Sequence, residues 1–61
     1  MVKVFVNENN ELKQIDTVAN VDYALRELCE KHSLTYDRVV RNDNKSEYYY
    51  QNELKAIIEI A

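Results

Sequence analysis

Val2, Val4 and Val6 alternate with Lys3 and Phe5, the period-two pattern of a strand that turns one face to a core. This predicts a first strand over residues 1–7. Asn7-Glu8-Asn9-Asn10-Glu11 supplies a polar hairpin loop, and residues 12–17 return as a second strand. Leu12 and Ile15 have opposite parity, so this strand either carries a bulge or begins after Leu12, and its register stays open. From Asn20 the period changes. Val21, Ala24, Leu25, Leu28, Cys29 and His32 fall on one stripe of an α-helix over about residues 21–33. Asn20 is placed to cap it, Asp22 suits its positive end, and Asp22 with Arg26 and Glu27 with Lys31 are spaced for acid-first i, i+4 pairs. Residues 36–41 read as a short strand, residues 42–46 as a loop and residues 47–50 as a further strand rich in β-favouring rings. In the last segment Leu54, Ala56, Ile58 and Ile60 share one face, and Lys55, Ile57 and Glu59 the other.

The order ββαβββ predicts an α+β fold, a single compact domain over 1–61 with one helix packed on one face of a small mixed sheet. That leaves a face without a helix. If even-numbered Val2, Val4, Val6, Ile58 and Ile60 point to the helix, Phe5 and Ile57 point away from it. Tyr48 and Tyr50 share a face and Tyr49 takes the other, so at least one of the three rings lies outside the helix-covered side. Phe5, Ile57, Tyr48, Tyr49 and Tyr50, with one of Val39 and Val40, form the candidate contact surface, flanked by Lys3, Lys55 and Glu59.

Composition narrows the chemistry. Hydrophobic residues make up 46% and charged residues 31% of the 61, a globular balance rather than that of a disordered chain. A net charge of −3, with no third of the chain basic, argues against phosphate-backbone binding. Arg38, Arg41, Lys45 and Lys55 stand near the tyrosines but are offset by Asp37, Asp43, Glu47 and Glu53. Glycine and proline are both absent, which excludes phosphate-cradling and dinucleotide loops and leaves asparagine to serve the left-handed turn positions. The single cysteine, Cys29, cannot form an internal disulfide and fits a reducing compartment. No run approaches membrane-spanning length and the N-terminus lacks a signal-peptide core, so the expected location is cytoplasmic, with no membrane partner.

No catalytic, cofactor or metal site is expected. Cys29 and His32 have a spacing that could supply two metal ligands, but no other Cys or His exists to complete a tetrahedral set, and both fall within the apolar stripe, as core members do. The carboxylates are interleaved with bases, and so short a chain has little room for a substrate pocket.

Thr17-Val18 before the helix and the closing Leu54-Lys55-Ala56-Ile57-Ile58-Glu59-Ile60 make the chain resemble the β-grasp, ubiquitin-like fold, and within it the small sulfur carriers of thiamin and molybdopterin synthesis. The resemblance implies that the first and last strands are central neighbours and that the outer sheet face binds partners. Those carriers end in Gly-Gly, and this sequence has no glycine, so sulfur transfer is not implied unless the chain continues past Ala61. The expected function is a non-enzymatic protein-binding module that uses the open sheet face, with another protein or a second copy in a homodimer as partner. The alternatives are an inhibitor of the phage or mobile-element kind that mimics nucleic acid with acidic groups, and a degenerate or truncated sulfur-carrier-like protein.

Overall fold

The computed structural model describes residues 1–60. The elements are β1 (Val2–Glu8), β2 (Glu11–Val18), α1 (Val21–Lys31), β3 (Arg38–Arg41), β4 (Lys45–Tyr50) and β5 (Glu53–Ile60). They form an α+β fold of one five-stranded sheet, in the order β2-β1-β5-β4-β3, with the helix on one side. Among the described residues no helix is long and apolar enough to cross a membrane.

The first and last strands are neighbours, and every adjacent pair in the sheet is antiparallel, so the expectation of a mixed sheet is corrected. The reason is a count of reversals. The helix returns the chain to β3 in the direction of β2, and two short connections then reverse it twice more, which leaves β5 opposed to β1.

Two of the connections are two-residue hairpins built without glycine. Asn9 and Asn10 have φ of 53° and 64°, and Gln51 and Asn52 have φ of 50° and 65°. Positive φ at both central residues is the type I′ geometry whose twist matches that of paired strands. Asparagine tolerates it and glutamine has no such advantage, so Gln51 is the strained member.

α1 begins where Asn20 accepts a hydrogen bond from the Tyr23 N–H at 3.0 Å. It ends two residues earlier than the periodicity suggests, with His32 as its C-cap and Ser33 in the left-handed region at φ 53°. Through Ala24 and Leu28 it packs on β1, β2 and β5, closing a core with Val2, Val4, Tyr48, Ala56 and Ile58. Cys29 and His32 are exposed and do not join that core, because the helix buries only a narrow seam over one half of the sheet. Among the described residues the two expected helix ion pairs are not formed. Arg26 instead lies 6.0 Å from the centre of the Tyr23 ring, and the Glu27 carboxyl meets Asp16 of β2.

Candidate functional site

The sheet face away from α1 is laid out by the strand registers. Phe5 of β1 stands directly opposite Ile57 of β5, Ile57 opposite Glu47 of β4, and Glu47 opposite Val40 of β3. These four side chains form one row across four strands, since directly opposed residues share a face. A neighbouring row reads Thr17, Lys3, Glu59, Lys45, in which the last three alternate in charge beside the row that holds Phe5 and Ile57.

Two β-bulges complete this face. In β2, Val4 pairs with Asp16 and Phe5 with Gln14, so Ile15 is the extra residue. The parity break lets Ile15 pack on the helix-side core while Leu12, 44% exposed, lies on the open face. In β5, Tyr48 pairs with Ala56 and Tyr49 with Leu54, so Lys55 is extra. Strict alternation assigns Leu54 to the helix side; the bulge sets it opposite Tyr49 instead, on the open face. None of Phe5, Leu12, Leu54 or Ile57 belongs to the helix-side core or packs against it. Ile57 is nevertheless only 7% exposed. It forms the floor of a shallow hollow of about 200 Å³ whose walls are Phe5, Leu12, Lys45 and Glu59.

The three tyrosines separate. Tyr49 is on the open face, where the Arg38 guanidinium sits 4.6 Å from its ring centre. Tyr48 is 3% exposed in the core, edge-on to Tyr36 with ring centres 5.0 Å apart. Its burial, then the nearby Tyr36, push its hydroxyl above the usual tyrosine range. Tyr50 has the parity of Tyr48 and lines a hollow of about 320 Å³ by the end of α1, with Val6, Leu28 and Lys55. Tyr48 and Tyr50 are therefore removed from the candidate surface: α1 covers only half of its side of the sheet, and tyrosine rings fill the rest. Lys55 is removed with them. The bulge takes it out of the charged row, and its ammonium pairs with Glu53 at 3.1 Å. Phe5, Ile57, Lys3, Glu59, Tyr49 and Val40 remain, and Leu12 and Leu54 join them. The odd parity of Leu12 against Ile15 was the sequence signal for the first; nothing marked the second.

Away from this face, the Asp16 and Glu27 carboxyls neighbour each other, and hydrogen bonding with Glu27, then with the Thr17 N–H, lowers Asp16 below the usual carboxylate range. The same contact is the main cause of a raised pKa at Glu27. Among the described residues no group of three or more His, Cys, Asp or Glu side chains is placed to hold a metal ion.

No protein-family model matches the chain, and neither a curated protein nor a solved structure is significantly similar to it.

Proposed function

We propose that this chain is a non-enzymatic, cytoplasmic protein-binding module whose working surface is the open face of the sheet. One observation carries the reading: an isoleucine nearly excluded from water on the side of the sheet that no helix covers, set in a hollow between Phe5 and Leu12. Such a preformed socket, apolar at its floor and charged at its rim, suits a partner's apolar side chain, the usual anatomy of an interface anchor. Lys3, Glu59 and Lys45 set register along one side of the apolar row.

The helix laid on one sheet face and the adjacency of first and last strands support the β-grasp resemblance at the level of architecture. The antiparallel pairing of those two strands departs from the mixed sheet that the element order predicts.

The test is affinity capture on the wild-type chain beside Leu12→Asp and Val40→Asp, both at exposed positions of the open face where the fold tolerates an acid. Loss of the same partner from both variants, with wild-type binding insensitive to salt, supports the apolar face. Retention by both variants, or binding that collapses with added salt, refutes it in favour of electrostatic mimicry.

A further inference from the structure

A sheet with two edges must protect both from unwanted pairing, and this one protects them differently, β2 by a bulge and β3 by its four-residue length and two arginines. β2, at one edge, is interrupted by the bulge at Ile15. Its Thr17 N–H is taken by the Asp16 carboxylate at 2.7 Å, and the Thr17 hydroxyl accepts from the Gln14 amide at 3.0 Å. β3, at the other edge, pairs with β4 over all four of its residues without a bulge, and α1 packs on β1, β2 and β5, away from it.

The hydrogen-bond phase of β3 follows from its end. The Asn42 N–H donates to the Lys45 carbonyl at 2.9 Å, while on the other side of β4 the Ile60 N–H donates to the Asn44 carbonyl at 2.6 Å. Antiparallel ladders alternate between bonded and non-bonded pairs. Val40 therefore bonds to Glu47, and the N–H and C=O groups of Val39 and Arg41 face outward. Side chains alternate as well: Arg38 and Val40 lie on the open face, Val39 and Arg41 on the helix side. Each face of the edge thus presents one arginine and one valine, with the arginines at the two ends. Asp37, just before the strand, is turned away and accepts from the Gln51 N–H at 3.1 Å.

We propose that the β3 edge accepts an added strand from another polypeptide, an extended segment with two adjacent apolar residues flanked by acids. Its backbone completes the free groups of Val39 and Arg41, its acids meet Arg38 and Arg41, and its apolar side chains lie beside Val39 and Val40. A second copy of the chain is a poor occupant, because pairing β3 with itself brings four arginines together. This site shares Val40 with the open face but lies at the sheet edge, away from the hollow between Phe5 and Ile57.

The experiment follows the backbone amides of the full ¹⁵N-labelled chain by NMR during titration with the capped peptide Ser-Glu-Val-Val-Glu-Ser. The arrangement reads the same in either strand direction, so orientation does not decide the result. Expected are saturable shifts and slowed hydrogen exchange at Val39 and Arg41, with no binding of the peptide in which lysines replace the glutamates. Arg41→Pro removes an outward N–H that the fold does not use, and proline is tolerated at such edge positions. It should weaken binding by at least about tenfold, against a smaller loss for Arg41→Ala, which keeps the N–H. Should Arg41→Pro fail to fold, the same peptide N-methylated at both valines tests the backbone bonds on the wild type, and it should not bind. The proposal is overturned by the absence of saturable shifts at millimolar peptide. Equal binding of the lysine or N-methylated peptide, or shifts centred on Phe5, Leu12 and Ile57, also overturns it.

Discussion

Ile57 and Ile58 are consecutive in β5 and nearly equal in exposure, 7% and 1%, yet they lie on opposite sides of the sheet. Replacing each with alanine removes the same three carbon groups, worth about 2.4 kcal/mol at roughly 0.8 kcal/mol per buried methylene. At Ile58 the space left behind is roofed by α1 and walled by Val4, Ala24 and Leu28. A void of about 80 Å³ there adds about 2 kcal/mol at 24 cal/mol per Å³, for a total near 4. At Ile57 the space opens to solvent and the stems of Lys45 and Glu59 can settle into it. The cavity contribution then disappears and about 2 kcal/mol remains. A chain of this size has a total stability of roughly 3–9 kcal/mol, so Ile58→Ala should lose about twice as large a share of it as Ile57→Ala. Urea unfolding, followed by far-UV circular dichroism and by the five tyrosines, separates them. With a slope near 1 kcal/mol/M the two midpoints should differ by about 2 M. Equal losses for the two variants would mean that Ile57 is as enclosed as Ile58, and the open docking face would have no basis.

Other consequences are equally direct. Gln51→Gly should stabilise the chain by about 1 kcal/mol in urea unfolding, since it relieves a left-handed glutamine, whereas Asn52→Gly should gain less. Asn20→Ala should cost about 1 kcal/mol by the same assay through loss of the Tyr23 N–H acceptor. Glu27 has its folded-state pKa raised, so its contribution is present at low pH and lost as pH rises through that value; Asp16, lowered, contributes above its unfolded pKa and loses this as pH falls further. The pair therefore stabilises most around the ordinary values of the two carboxyls, near pH 4, and less as pH rises through the raised value of Glu27. Glu27→Gln should melt higher than wild type at pH 7 with the difference fading towards pH 4; a difference independent of pH would refute the shared proton.

Local pattern carried much of this molecule. Alternation in residues 1–7 and at the C-terminus, the helical stripe after Asn20 and the asparagines at turn positions 9, 10 and 52 all correspond to observed elements. The Phe5–Ile57 pair across adjacent strands was legible too, because parity alone assigns both residues to the face opposite Val4 and Ile58. What misled was the assumption that parity continues unbroken. One extra residue in β5 moves Leu54 to the open face and takes Lys55 out of it, and no residue in Leu54-Lys55-Ala56 announces a bulge. Cys29 and His32 likewise fit the apolar stripe, yet a helix that sits over β1, β2 and β5 leaves them in solvent.

By itself, then, the sequence determined which segments are strands, which is the helix, and which residues of an unbroken strand share a side, since these follow from a repeat of 2 or 3.6 residues along a local backbone. The tertiary structure decided the direction of β5 against β1, the burial of Tyr48 beside Tyr36, the bulge in β5 and the unequal edges. Those depend on where distant segments meet, and pairing energy between strands far apart in the chain leaves no periodic trace in either one.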